Sequence, residues 1–260
     1  MGESMTNGPW HHACEPDALH ATMHRQTESS NIRLLMPMPS VITIDGPAAS
    51  GKSTLGDLLA QRLGYTYFDT GVLYRALTYL ALIHNVALDA VDDLVALAER
   101  TPVEVLPPTV VDGRQYTVLA GGDDITWALR SGDVERHVSQ VSMYQAVRDA
   151  LRDRQRTIGK RGRVVMVGRD IGSVVMPDAD FKVFIDASLD ERARRRHADL
   201  LHQGRSTSLD AVRNDLERRD LQDRGNTFHP PDAFTLTTDG LSPADEVELL
   251  LAALHQRAIS

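Results

Sequence analysis

The sequence predicts an α/β protein that is built on a mostly parallel, five-stranded sheet flanked by helices. Short, continuous apolar runs alternate with helical segments along most of the chain, and strands covered on both faces carry such runs. The first apolar run passes directly into a glycine-rich turn and a leucine-rich helix, which is the order of a phosphate-binding α/β unit. At 260 residues the chain is long enough for one large domain with insertions.

The composition restricts the function before any motif is considered. Lysine and arginine total 28 against 36 acidic residues, so the formal net charge is −8. This argues against a protein that binds long nucleic acids or anionic membranes. The single cysteine, Cys14, excludes an intramolecular disulfide. No apolar run approaches the ~20 residues of a membrane span, and no secretory signal is evident, so we expect a soluble, cytoplasmic protein.

The elements of the predicted core follow in a regular order. Residues 1–40 lack a sustained apolar period, and we interpret them as a disordered tail. The first strand, 41–44, precedes a helix over 52–63 whose leucines share one face and which Gly64 ends. Four more apolar runs are candidate strands and two later segments are candidate helices: strands 66–68, 164–167, 181–185 and 234–236, and helices 190–202 and 242–256.

The stretch from 86 to 150 has a different pattern. Two short alternating runs, "VEVL" and "YTVL", lie among turn signals at Pro107-Pro108, Asp112-Gly113 and Gly121-Gly122. One long helix over 133–159 follows them. This pattern predicts an antiparallel insertion carried on the parallel core.

The turn after the first strand matches the phosphate-binding pattern G-x-x-x-x-G-K-[ST] at every fixed position. Its glycines let successive backbone N–H groups converge on phosphate oxygens, and the next helix adds its positive N-terminal end. Lys52 is expected to reach the β- and γ-phosphates of a nucleoside triphosphate, and the Ser53 hydroxyl to ligate Mg²⁺. The predicted nucleotide-binding residues are Gly46, Pro47, Ala48, Ala49, Ser50, Gly51, Lys52, Ser53 and Thr54.

Three classes of protein use such a loop. A GTPase would carry an Asn-Lys-x-Asp tetrapeptide, and the sequence has none. A motor or transporter ATPase normally shows an apolar strand that ends in an acidic pair, and we find none. A small-molecule kinase needs a second, arginine-rich pocket near the first, and the remaining chain supplies one.

Four segments supply the polar residues of this second pocket. "DTGVLYR" (69–75) and "VGRDIG" (167–172) each follow a candidate strand, so both lie at the carboxyl edge of the sheet, where ligands bind. "HVSQVSMYQAVRDAL" (137–151) places Ser139 and Arg148 on the helix of the insertion. "LERRDLQDRGN" (216–226) suits a mobile lid, although alone it would favour a solvated helix face with ion pairs.

In the order and spacing of its motifs, the chain from 41 to 256 resembles the bacterial cytidylate kinases, which phosphorylate CMP and dCMP from ATP. The motifs that carry the resemblance are "ITIDGPAASGKST", "DTGVLYRALT", "VSQVSMYQAVRDALRDRQR", "GRDIGSVVMPDADFKVFIDAS", "ERARRR" and "TTDGLS". The resemblance implies a P-loop kinase that binds ATP with Mg²⁺, and we expect a monomer. It divides the chain into core segments 41–85, 151–189 and 231–260, a monophosphate-binding insertion at 86–150 and a mobile lid at 190–230.

The resemblance also implies roles for individual residues. The acceptor phosphate would contact Thr70, Arg75, Arg169 and Arg219, and the pyrimidine would contact Ser139, Arg148 and Asp170. The ribose would contact Asp223, and Tyr74 completes the substrate-binding set. The expected catalytic residues are Lys52, Arg169 and Arg219. The chemistry agrees, because the amine of cytosine donates to an acceptor such as Asp170. Its O2 and N3 atoms accept from donors such as Arg148 and Ser139.

The lid departs from the family pattern at Asn226. The family usually carries an arginine seven residues beyond the first lid arginine, here Arg219, and asparagine brings no charge to the acceptor phosphate. In one outcome Arg224 substitutes for the missing arginine. In the other, the closed lid is less stable and the enzyme is slow with a raised KM for CMP. We favour substitution because Arg75, Arg169 and Arg219 remain.

Two other functions stay open from the sequence. A related kinase would use another acceptor such as UMP, although the O4 atom of uracil would then face the Asp170 carboxylate, which has no proton to donate. A damaged lid would instead leave a catalytically weakened nucleotide-binding protein. The sequence does not fix the preference between CMP and dCMP. It also does not choose which of Arg194, Arg195 and Arg196 faces the γ-phosphate.

Overall fold

A five-stranded parallel sheet forms the centre of the protein. The computed structural model describes residues 38–259, with side chains to residue 257, so the predicted tail lies almost wholly outside the described residues. Each predicted core strand is confirmed and is one residue longer at its carboxyl end. The strands are β1 (Val41–Asp45), β2 (Thr66–Asp69), β6 (Val164–Gly168), β7 (Phe181–Asp186) and β8 (Phe234–Thr237), in the spatial order β2–β6–β1–β7–β8.

The register of the strands brings the predicted motifs to one edge of the sheet. On β1, Asp45 pairs with Gly168 of β6 and with Phe184 of β7, and on β2, Asp69 pairs with Val167. The three segments that follow β1, β2 and β6 therefore leave the sheet side by side. This is the edge at which open α/β sheets bind ligands.

Helices and loops cover both faces of the sheet. All five residues of β1 and the first four of β6 are buried at consecutive positions, and consecutive side chains of a strand point to opposite faces. The helices are α1 (Lys52–Leu63), α2 (Gly71–Ile83), α3 (Val91–Arg100), α4 (Gly132–Met143), α5 (Gln145–Gly159), α6 (Leu189–His202), α7 (Leu209–Asp223) and α8 (Pro243–Ile259). Between residues 38 and 259, none is long and apolar enough to cross a membrane.

The insertion contains the predicted antiparallel strands. β3 (Val103–Leu106) and β4 (Thr117–Ala120) pair, and the two-residue β5 (Asp123–Asp124) adds a third strand. The insertion contacts the core directly. The rings of Tyr67 and Tyr116 stack with their centroids 6.2 Å apart, and the Gln115 amide donates to the Asp57 carboxylate at 2.9 Å.

The single helix predicted over 133–159 is wrong, since the chain forms two helices that meet at Tyr144. This residue has an extended backbone (φ −71°, ψ 118°). The interruption is stabilised by contacts that the sequence pattern does not reveal. The Arg148 guanidinium donates to the carbonyl of Ser142 at 3.3 Å, and the Ser142 hydroxyl donates to the carbonyl of Ser139 at 3.0 Å.

Helices α6 and α7 form a layer of their own beside the glycine-rich loop. Serine side chains begin both helices, since Ser188 accepts from the N–H of Glu191 and Ser208 from the N–H of Ala211. A small apolar cluster lies between the helices and is joined by two alanines of the loop: Ala193, Val212 and Leu216, with Ala48 and Ala49 packed against them. The loop and the predicted lid therefore contact each other.

Candidate active site

The glycine-rich loop joins β1 to α1 in a conformation that its glycines permit. A Cβ atom on Gly46 would lie 2.6 Å from the carbonyl oxygen of Ile185, and Gly51, directly before α1, has a left-handed φ of 91°. The Lys52 ammonium donates to the carbonyl of Pro47, so the lysine folds back over the loop. Burial and the neighbouring Arg169 lower the pKa of Lys52 below its ordinary value. Phosphate oxygens placed here would favour its charged form.

One cavity of about 820 Å³ opens over this loop and reaches the second predicted pocket. This volume lies within the usual range for small-molecule sites. The predicted site residues that line it are Ala48, Ala49, Ser50, Gly51, Lys52, Ser53, Thr54, Thr70, Tyr74, Arg75, Ser139, Arg148, Arg169, Asp170 and Arg219. The structure thus brings the nucleotide-binding loop and most of the expected acceptor residues around one space.

The two expected base-reading residues contact each other. Arg148, from α5, forms an ion pair with Asp170, which follows β6, and each side chain is only 10% exposed. The guanidinium also lies 5.8 Å from the ring centroid of Tyr74. A buried wall of the cavity therefore presents hydrogen-bond donors, a carboxylate acceptor and an aromatic ring together.

A second ion pair joins the acceptor segment to the lid. Arg169 pairs with Asp223 at the end of α7. The other oxygen of this carboxylate, Oδ2, is buried and has no hydrogen-bond partner among the described residues. Burial raises the pKa of Asp223, against the opposing effect of Arg169. A buried acceptor without a partner is costly, and a ligand hydroxyl could satisfy it.

The remaining acceptor residues are held by neighbouring groups. The Thr70 hydroxyl donates to the carbonyl of Val167 at 2.8 Å, and the Arg75 guanidinium lies 3.2 Å from the Asp69 carboxylate. Arg219 is bound to Asp215, one turn earlier on α7, at 2.9 Å. Each guanidinium carries five N–H donors, so both arginines keep donors for a phosphate.

Some expected residues lie outside the cavity lining. Arg224 is exposed at the end of α7 and does not line the cavity, and Asp223 reaches it only through Arg169. Of the three consecutive arginines in α6, Arg194 is 68% exposed and pairs with Glu191. Arg195 and Arg196 line the cavity, so they remain the candidates for the γ-phosphate.

The sequence analysis missed several residues of the site, among them four that are charged. Arg130, Asp69 and Glu246 line the cavity, and Asp45 lies buried beneath it. Arg130 belongs to no recognised motif; it ends a short helical turn and packs over the ring of Trp127 at 5.0 Å. The sequence did contain a signal for Asp45: an acidic residue directly after an apolar strand has no role in the packing of that strand, which indicates a role in the site. Burial raises its pKa to about 7, although N–H groups of Gly172 and Ile171 favour the carboxylate.

The residues at the start of α1 fit a magnesium ion that is carried by a nucleotide. The Ser53 hydroxyl is exposed in the cavity, and the Asp69 carboxylate lines the same space. Magnesium prefers such oxygen ligands, and in nucleotide sites it needs only one or two of them besides phosphate oxygens and water.

A parallel α/β sheet whose first strand ends in a phosphate-binding loop, facing an arginine-rich pocket, defines the class of P-loop kinases. Among solved structures, a shikimate kinase from Bacteroides thetaiotaomicron is similar, with a TM-score of 0.44 and 15% identity, over 83% of this chain and 98% of that chain.

The comparison of sequences identifies the family. The cytidylate kinase family model matches residues 42–256. The cytidylate kinase of Herpetosiphon aurantiacus is 59% identical over 86% of this chain and 97% of its own length. The cytidylate kinase of Roseiflexus castenholzii is 56% identical over 85% of this chain and 96% of its own length. The cytidylate kinase of Chloroflexus aggregans is 51% identical over 83% of this chain and 94% of its own length. The chain belongs to the cytidylate kinase family.

Proposed function

We propose that this protein transfers the γ-phosphate of ATP to CMP and dCMP, forming CDP and dCDP. The observation that carries the proposal is the single cavity in which the phosphate-binding loop faces the Arg148–Asp170 pair. Relatives with the name cytidylate kinase, 51–59% identical over most of their length, support it.

The donor nucleotide would occupy the loop between β1 and α1. The backbone N–H groups of the loop 46–54, which Pro47 alone lacks, and the N-terminal end of α1 would hold the triphosphate, with Lys52 at the β- and γ-phosphates. Ser53, assisted by Asp69, would hold the magnesium ion. When bound, this ion neutralises charge on the phosphate oxygens.

The acceptor would occupy the other half of the cavity. The exocyclic amine of cytosine would donate to Asp170, while Arg148 and Ser139 would donate to its O2 and N3 atoms. Asp223 borders the cavity through Arg169, and after closure of the lid a ribose hydroxyl would donate to its unpartnered Oδ2. Arginines and a hydroxyl from four segments of the chain would surround the monophosphate: Thr70, Arg75, Arg130, Arg169 and Arg219.

The reaction needs positioning and charge neutralisation rather than a strong base. An oxygen of the CMP phosphate is already anionic; it forms a bond to the γ-phosphorus as the bond from that phosphorus to the ADP oxygen breaks. Lys52, Arg169 and Arg219 would stabilise the negative charge on the transferred group. Closure of the lid would exclude water, and its opening would limit turnover.

A coupled assay of ADP release tests this function. We expect CMP and dCMP to give the highest initial rates, UMP and AMP much lower ones, and Lys52→Ala to abolish the CMP-dependent signal. The highest rate with UMP would instead establish a related kinase with another acceptor. No acceptor-dependent ADP release would leave a weakened nucleotide-binding protein. Location in the cytoplasm and a monomeric state stay predictions from the sequence.

A further inference from the structure

Asp45 is a buried carboxylate that connects the two halves of the site. It is the last residue of β1, it is 0% exposed, and Gly46 of the phosphate-binding loop follows it directly. Its Oδ1 accepts from the N–H of Ile171 at 2.8 Å, and its Oδ2 accepts from the N–H of Gly172 at 2.7 Å. Both oxygens are therefore bound to the backbone that continues from Arg169 and Asp170.

We propose that Asp45 is a positioning residue for the acceptor site: from the strand that carries the ATP loop, it fixes the backbone segment that aims Arg169 and Asp170 into the cavity. This inference rests on the proposed function. Hydrogen bonds of a charged acceptor to backbone N–H groups are short and strong, and two on consecutive residues define the orientation of that backbone.

Two neighbouring residues indicate that this contact is specific. The side chain of Thr43 points to the same face of β1 as Asp45, and its buried hydroxyl has no partner among the described residues. Gly172 permits the close approach, since a Cβ atom there would lie 2.7 Å from the Thr43 hydroxyl and 3.3 Å from Oδ2 of Asp45. A buried polar group on this face is thus not sufficient: of Thr43 and Asp45, only the carboxylate binds the backbone N–H groups of residues 171 and 172.

Both oxygens of Asp45 accept from the acceptor segment, whereas its effect on Lys52 in the loop is electrostatic and favours the charged ammonium. Its loss should therefore affect the two substrates unequally. A residue that served only the stability of the fold would alter both substrates or neither.

The test compares Asp45→Asn with Thr43→Val as the matched control. Asparagine keeps the shape but offers one acceptor oxygen, and its amide group opposes the second backbone N–H. We expect the KM for CMP and its calorimetric Kd to rise about tenfold or more, a change typical of an unpaired buried group, while the KM for ATP changes less than about threefold. Thr43→Val should change neither KM.

Equal changes in both KM values, or an unchanged KM for CMP in a folded variant, would overturn the proposal. If Asp45→Asn has no cooperative melting transition, Gly172→Ala replaces it, because its methyl group displaces the same backbone while Asp45 is retained. An unchanged KM for CMP in Gly172→Ala would then overturn it. If the wild type releases no ADP with CMP, the proposed function fails, and calorimetric binding of CMP still tests the positioning role.

Discussion

At the scale of the residue, the main feature of the site is that its charged side chains form ion pairs with each other. The Arg148–Asp170 and Arg169–Asp223 pairs join three segments that are distant in sequence. Removing one partner of a buried pair leaves the other charge uncompensated, which is far more costly than loss of an exposed pair. Each pair therefore fixes donors and acceptors in place before a substrate contacts them.

The first prediction concerns the residues that would contact the base. Arg148→Ala and Asp170→Ala should each weaken CMP binding about tenfold or more, because a buried polar group loses its partner, and should leave ATP binding unchanged. Isothermal titration calorimetry with each nucleotide measures both effects. Arg152→Ala is the control, since Arg152 lies one turn along α5 and pairs with the half-exposed Asp149. Unchanged CMP affinity in both variants would refute the assignment.

The second prediction concerns the missing lid arginine. If Arg224 substitutes for it, Arg224→Ala should lower kcat/KM for CMP about tenfold or more, and Asn226→Arg should partly restore the loss. Since Arg224 lies outside the cavity lining, this outcome requires α7 or its end to move. Arg218→Ala is the matched control, an exposed arginine of the same helix.

If Arg224 does not substitute for the missing arginine, the protein is a kinase with weakened activity. In that case Arg224→Ala is silent, and Asn226→Arg alone raises the rate strongly.

The third prediction concerns pH. Burial raises the pKa of Glu246 to about 7, against the opposing effect of Arg195. The native protein therefore binds this proton more tightly than the unfolded chain, and its stability falls as pH rises from about 4.5 towards 7. Glu246→Gln removes this pH-dependent contribution to the free energy of unfolding. The melting temperature of the variant minus that of the wild type should increase between pH 5 and pH 8. The increase should be about 2–4 °C for each ~1 kcal/mol by which the free energy of unfolding of the wild type falls over that range.

Glu248→Gln provides the control, because it neutralises an exposed carboxylate two residues further along α8. An equal difference at both pH values for Glu246→Gln would show that burial does not disfavour its charge.

Among the secondary-structure elements, α6 and α7 are linked to each other and to the glycine-rich loop by the side chain of Arg192. Arg192 of α6 is 5% exposed and donates to both carboxylate oxygens of Asp220 on α7, at 3.1 and 2.6 Å. It also donates to the carbonyl of Ala48 in the loop at 3.1 Å. A displacement of α7 would therefore disturb the hydrogen bonds that hold this part of the loop.

The fourth prediction follows from this connection. Asp220→Ala leaves a buried guanidinium without its partner, which costs about 1–3 kcal/mol. Thermal unfolding should show a melting temperature lower by several degrees, and the KM for ATP should rise because Arg192 also supports Ala48. Glu217→Ala, on an exposed site of the same helix, should leave both values unchanged; equal effects of the two variants would contradict the account.

The elements that the sequence predicts well are those with continuous apolar runs. Each core strand extends one residue beyond its apolar run, because the backbone pairing continues into a residue that is not apolar, such as Asp45, Asp69 or Gly168. The break at Tyr144 was not predictable, since the 3.6-residue pattern continues across it. It is stabilised by the contact of Arg148 with Ser142, which exists only in the folded chain.

For the site as a whole, motifs identify which residues matter but not how they pair. "GRD" and the lid segment are recognisable, yet the contact of Arg169 with Asp223 depends on the position of α7. Arg130 and Glu246 lie in segments without a motif, and only the tertiary fold brings them to the cavity. These two residues were missed because their place in the site depends on long-range contacts alone.

The whole molecule concentrates positive charge where a polyphosphate would bind. The chain has a net charge of −8, yet the basic residues that line one cavity, Lys52 and seven arginines, outnumber the six carboxylates of its lining. Such a local positive field inside an acidic protein attracts small anionic substrates rather than long nucleic acids. This charge distribution is consistent with a kinase that brings ATP and a nucleoside monophosphate together.

The most direct test of the central claim is a competition between CMP and UMP in one reaction with limiting ATP. We expect the wild type to form CDP in excess over UDP by about tenfold or more, because Asp170 accepts from the amine of cytosine and repels the O4 atom of uracil. In Asp170→Asn the amide can donate to O4, so the ratio of CDP to UDP should fall. A wild type that forms mainly UDP, or a ratio unchanged by Asp170→Asn, would contradict the account.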